Sequence, residues 1–143
     1  MARPRATDLG PAINCLFDHT PAGIQDDNDQ NVVNLDRPNL VDQLEARHIR
    51  WGAYMETLPA DKLARFGPQL PDGTTAQLYA KKHNPFVLFD SVKNSPARMS
   101  HVKDYTSLAA DLNSKKAPEF VRITPNQCND MHGGVYTPVP GYA

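Results

Sequence analysis

Residues 122 to 134 read RITPNQCNDMHGG. Asn126, Cys128, Asn129, Asp130, Met131 and His132 crowd together after a short apolar run, and Gly133 and Gly134 follow. Asp130 and His132 are one residue apart. An extended or turning backbone can aim both at one point, and a carboxylate with an imidazole is a common donor pair for a divalent metal. Asn126 and Asn129 add amide groups suited to a phosphate or to the support of metal ligands. The two glycines permit unusual backbone angles and close approach of a ligand. The plainer account is a polar loop in which Asp130 caps a helix and His132 faces solvent, because short D-x-H patterns recur by accident.

Weaker groups occur elsewhere. His83, followed by Asn84 and Pro85, could as a site residue contact a phosphate. As structure it reads as a histidine at a helix C-terminus, stabilised by the helix dipole, and the residues alone favour that reading. Asp18 beside His19 suggests a metal only faintly. The acidic run 26–29, DDND, lacks the glycine and distal Glu of a calcium-binding helix–loop–helix, so a solvated loop is expected. Ser91, Ser95 and Ser100 lie in no G-x-S-x-G context, and none is expected to be a nucleophile. Cys15 and Cys128 are far apart and lack metal-binding spacing. A disulfide is open to them, but unpaired thiols are the simpler expectation.

These groups need elements to position them. Residues 1–35 look irregular. Asp36 offers a cap and Pro38 suits a first helical turn. Leu40, Val41, Leu44 and Ile49 then recur near helical spacing, which predicts a helix over 37–48. RWGAYMET, 50–57, reads as a strand, and the next stretch to Gly73 as a loop with at most one helical turn. TTAQLYAKKH, 74–83, opens on a threonine and ends in basic residues, which predicts a helix. NPFVLFDSV, 84–92, is ambiguous between strand and helix. Residues 104–116 read as a helix stopped by Pro118, and EFVRIT, 119–124, as a strand. Helices preceding short strands predict an α/β layout with a parallel sheet. Ligands in such sheets bind beyond the carboxyl ends of the strands, where the Asp130 segment falls.

Composition narrows the classes. The chain has 143 residues, enough for one domain or part of one. Its 15 Lys and Arg nearly balance 16 Asp and Glu, and no basic run interleaves with aromatics, so nucleic acid is not an expected partner. No run reaches the ~18 apolar residues of a membrane span. The start, MARPRATDLGPAINCLF, lacks the apolar core of a signal peptide. That points to a cytoplasmic chain, or to one that begins downstream of an export signal. Thirteen prolines, against roughly 5% in an average chain, imply long ordered loops, or a fragment whose loops normally lie on something else.

Three blocks, RPNLVDQLEARHIRWGAYMETLP, YAKKHNPFVLFDSV and LAADLNSKKAPEFVRITPNQCNDMHG, together resemble the bacterial phosphoesterase family. That family includes acid phosphatases and phospholipase C-type enzymes and is similar in fold to the alkaline phosphatase superfamily. The likeness covers residues 23–134, in order and at plausible spacing. It implies an α/β/α sandwich around a mostly parallel sheet, loop-rich and incomplete here. Residues 36–134 would form the partial domain, and 135–143 a tail. It implies hydrolysis of phosphate esters with one or two divalent metal ions and a Ser or Thr nucleophile. The partner would be a small phosphate ester or a phospholipid headgroup. Asp130 and His132 are carried over as metal or phosphate residues, Asn126 and Asn129 as their supports, and His83 as a pocket residue. The family's nucleophile segment, its Glu-Asn pair and its later acidic pair have no counterpart in these residues. Three outcomes are therefore open: an active hydrolase, alone or assembled with another polypeptide; an inactive truncated chain; or a module that binds a phosphorylated ligand. Strand edges and apolar faces left uncovered would favour self-association.

Overall fold

A computed structural model of the chain describes residues 35–131. Its centre is strand β1, Trp51–Met55, buried at all five positions. Strand β4, Val102–Asp104, pairs with it in parallel on one side, and strand β5, Phe120–Thr124, in parallel on the other. The order is β4-β1-β5. A strand buried on both faces is what a parallel sheet requires, so the expected α/β layout holds.

Alternation along β1 separates two faces. Trp51, Ala53 and Met55 join one apolar core with Val41, Leu44, Phe86, Val87, Val92 and Val102. The Trp51 ring stacks on Phe86 with centroids 5.3 Å apart and on His101 at 4.8 Å. Tyr54 points to the other face, where the hydroxyl donates to Asp111 Oδ2 at 2.7 Å. Gly52 is required beside it, since a Cβ there would lie 2.8 Å from the Tyr54 ring.

Helix α1, Leu40–Glu45, is shorter than expected, and its cap is Asn39 rather than Asp36. Asn39 Oδ1 accepts from the Val41 amide at 2.9 Å, while the Asn39 amide donates to Asp42 Oδ2 at 2.9 Å. This reciprocal box satisfies two orphan donors at once, so it prevails over a more distant Asp36. Beyond the helix the chain exits through His48, whose φ is 56°, with the Ile49 amide donating back to Leu44 O at 2.9 Å. That left-handed exit turns Ile49 onto the core.

The largest departure is at 66–83. The helix expected over 74–83 is instead strand β3, Thr75–Ala80, paired antiparallel with β2, Phe66–Gln69. The turn between them is Pro71-Asp72-Gly73. Gly73 has φ 84°, and Asp72 Oδ1 accepts from the Thr74 amide and hydroxyl at 2.9 and 2.6 Å. Turn chemistry of this kind between two pairing segments outweighs a threonine start and a basic end. Burial of Ala76, Leu78 and Ala80 follows a period of two, which a strand satisfies and a helix does not.

The ambiguous 84–92 segment becomes a 3₁₀ turn, Pro85–Leu88, and a short helix α2, Asp90–Lys93. Helix α3, Pro96–Met99, follows, capped by Ser95. Strand β4 was not anticipated. The helix expected over 104–116 is a 3₁₀ turn, Tyr105–Ser107, and helix α4, Leu108–Leu112. Helix α1 and α2 thus line one face of the sheet and α4 reaches the other. Among the described residues no helix is long and apolar enough to cross a membrane.

Candidate functional site

Strand β1 and strand β5 end together: the Glu56 amide donates to Thr124 O at 3.0 Å. Immediately beyond, the chain turns sharply. Thr57 has φ 59°, a conformation that costs a β-branched residue about 1–3 kcal/mol. Its hydroxyl donates to Glu56 O at 2.7 Å. The Glu56 carboxylate therefore stands at the carboxyl end of the central strand, facing the segment that leaves β5.

That segment is tied down at three places. The Asn126 amide donates to Glu56 Oε2 and the Asn129 side-chain amide to Glu56 Oε1, both at 2.8 Å. Asn126 Oδ1 accepts from the Cys128 amide at 3.0 Å, and Asn126 O accepts from the Asn129 amide at 2.9 Å. These bonds close a compact turn of the kind asparagine stabilises. On the other side, Gln127 binds strand β3: its amide donates to Leu78 O at 2.8 Å and its Nε2 to Gln77 O at 2.5 Å. Met131, at the loop's end, has φ 65° and is exposed. Of the three described non-glycine residues with positive φ, two therefore flank this site.

Strand β3 delivers the remaining group. It runs into a 3₁₀ turn, Lys81–His83, and the Lys81 amide donates to Arg65 O at 2.9 Å, carrying the hairpin ladder into the turn. His83 Nδ1 then lies 3.5 Å from Asp130 Oδ2, an ion pair when the imidazole is protonated. The two side chains are 22% and 13% exposed, mostly covered yet reachable from outside. A carboxylate on one ring nitrogen fixes the orientation of an imidazole. Next in sequence, Asn84 is fully buried; its Nδ2 donates to the Tyr79 hydroxyl at 3.1 Å, and its Oδ1 has no hydrogen-bond partner. Burial pushes the Tyr79 phenol up to about 12, with the Asn84 contact opposing.

His83 thus closes a single 3₁₀ turn rather than an α-helix over 74–83. It comes off a strand, and it meets Asp130 from a different block of the sequence. Asp130 faces that imidazole. Asn126 and Asn129, expected to support Asp130 and His132, bind Glu56, a residue that the sequence does not single out. The signal was its place as a carboxylate near the end of the strand expected over 50–57. His132, Gly133, Gly134, Asp18, His19, Cys15 and the acidic run 26–29 lie outside the described residues. Cys128 is a free, exposed thiol. Ser91 accepts from Asn39, Ser95 caps α3, and the Ser100 hydroxyl donates to Ala97 O. All three serines hold structural hydrogen bonds.

The expected metal does not fit the described residues alone: no group of three or more His, Cys, Asp or Glu side chains converges among them. Asp130 offers its carboxylate to His83, and Glu56 offers both oxygens to amides.

A second polar cluster lies away from this edge. Lys103 Nζ donates to Asp111 Oδ2 at 2.6 Å, and the Tyr54 hydroxyl meets the same oxygen. Lys103, and then Tyr54, hold the Asp111 carboxyl below the usual carboxylate range. Burial and then Asp111 push the Tyr54 phenol up. Charge and hydrogen bonds are matched internally, and no sequence-predicted site residue takes part.

The model of the phosphoesterase family matches residues 12–141. An acid phosphatase of Aspergillus fumigatus is 38% identical over 107 residues, covering 74% of this chain and 24% of that protein. A probable acid phosphatase of Kluyveromyces lactis is 35% identical over 94 residues, covering 66% of this chain and 22% of that protein. An acid phosphatase of Aspergillus niger is 32% identical over 117 residues, covering 80% and 27%. The chain spans about a quarter of the length of the curated relatives it matches.

Proposed function

Because this chain belongs to the phosphoesterase family, we propose that it carries the phosphate-facing corner of a phosphoric-ester hydrolase. The observation behind this is the meeting of His83 and Asp130 at 3.5 Å beyond the carboxyl ends of β1 and β5. An imidazole held by a carboxylate can contact a phosphoryl oxygen or move a proton at the ester. The substrate class is a phosphate ester, by likeness to relatives named acid phosphatase. A phospholipid headgroup is the narrower, phospholipase C-type version.

In this reading the family's divalent ion would take Asp130, with His132, as its ligands in this chain. When bound, such an ion neutralises phosphoryl charge. The test is hydrolysis of an aryl phosphate by the folded full chain, with and without added divalent metal, beside an aryl phosphorylcholine. Turnover lost in His83→Ala and Asp130→Asn supports the proposal. Turnover equal to buffer, with no heat on titration with inorganic phosphate, overturns it.

A second reading has its own support. His83, Asp130, Asn126 and Asn129 gather at one edge, groups whose polar atoms suit a phosphorylated ligand. The chain then binds a phosphorylated ligand without chemistry. Heat on phosphate titration without turnover selects it. Self-association belongs with either reading: β5 pairs on one side only among the described residues, and Ile123 is 46% exposed. A clean monomer by light scattering at high concentration contradicts it.

A further inference from the structure

We infer that Glu56 is the positioning residue of the His83–Asp130 pair. It touches neither side chain. It grips the loop that presents Asp130, and the inference rests on reading that pair as the phosphate-facing corner.

Each Glu56 oxygen takes one N–H of the loop. One is the main-chain amide of Asn126, where the loop starts; the other is the side chain of Asn129, which immediately precedes Asp130. Both ends of the turn are therefore fixed to one carboxylate. Gln127, bound to β3, fixes its middle to the strand that delivers His83. The loop is clamped between the two elements whose separation sets the His83–Asp130 distance.

Two further observations distinguish this from simple adhesion. Among the described residues no cation pairs with Glu56, whereas Asp111, equally a partner of β1, is paired with Lys103. A partly buried carboxylate held only by neutral amides is an expensive way to attach a loop. Also, β1 breaks into a left-handed residue directly after Glu56, at Thr57. Strained backbone next to a specific contact is a feature of sites whose geometry is held on purpose.

The full-length chain tests this with Glu56→Gln, Glu56→Ala and, as a control outside the clamp, Asp111→Asn. Inorganic phosphate is the probe, titrated calorimetrically well below each thermal midpoint. Nuclear Overhauser contacts between the His83 ring and residues 126–130 report the geometry. Glu56→Ala is expected to weaken phosphate about tenfold or more and to lose the ring–loop contacts. Glu56→Gln keeps the volume and one acceptor, so it should retain part of both; Asp111→Asn should retain all. If Glu56→Ala does not fold, Glu56→Gln decides alone. A lowered midpoint with wild-type affinity and intact ring–loop contacts overturns the inference. If even the wild type binds no phosphate, the functional reading fails separately. The ring–loop contacts then decide: lost in the Glu56 variants they support positioning, and unchanged they overturn it.

Discussion

Strand β1 anchors two polar networks, and they differ in kind. On its second face, Tyr54 meets Asp111, which Lys103 neutralises. At its carboxyl end, Glu56 meets only amides, and the loop it holds carries a second carboxylate, Asp130, to an imidazole. The first network closes on itself. The second passes its constraint onward to groups that outside molecules can reach. A cluster of titratable side chains is therefore weak evidence of function by itself. Position relative to the strand ends, and whether each charge is already answered, separates the two.

The largest expected difference is in catalysis. On the hydrolase reading proposed above, Asp130→Asn is expected to lower phosphate-ester turnover by about a hundredfold or more, the usual contribution of a group that moves or orients a proton. Asp111→Asn should leave turnover unchanged. Initial rates with an aryl phosphate check both, and equal losses in the two variants would erase the distinction.

Stability should reverse that ranking. Asp111→Asn removes the charge that answers Lys103 and leaves one acceptor oxygen, and a quarter of the Asp111 side chain is exposed, so solvent screening limits the loss to about 1 kcal/mol. Urea unfolding measures it. The same group sets an acid limb. Its pKa is depressed in the fold, so its contribution is present above the unfolded carboxylate value and is lost as pH falls through the folded one. Asp111→Asn should flatten the decline in unfolding free energy below about pH 4.

Tyr79 sets the alkaline limb with the opposite sign. Its pKa rises from 10.0 to about 12. Its contribution is whole below pH 10 and disappears as pH climbs toward 12. Tyr79→Phe should flatten that limb, read by far-ultraviolet circular dichroism against pH. It should also test whether the buried Asn84 beside His83 matters to phosphate affinity. The smallest effect on the site belongs to the hairpin turn: Gly73→Ala meets no neighbouring atom, so only its φ of 84° opposes it, by about 1 kcal/mol of stability, with the site unaffected.

The sequence showed the parallel sheet because β1 and β5 are short apolar runs of strand-forming residues preceded by helical patterns. It also placed the loop after β5 at the right end of that sheet. It concealed the route by which His83 arrives. Thr75–Ala80 carries Tyr79 buried against the alternation, and Lys81, Lys82 and His83 follow as a helix ending would. Only the Pro-Asp-Gly turn spoke for a hairpin. Glu56 was hidden for a different reason: its partners, Asn126 and Asn129, lie some seventy residues away, and no local pattern encodes such a pairing. Asp130 and His83 were both visible as candidates, but their meeting is a property of tertiary structure.

The hairpin has one more consequence. Its tip, Leu70–Thr74, projects from the end opposite the turn that bears His83. Residues can be added at the tip with little disturbance, whereas one residue inserted between Ala80 and His83 would swing the imidazole to another side. Grafting a longer peptide at the tip would offer a handle for labels or tethers that leaves the opposite extremity of the same hairpin undisturbed.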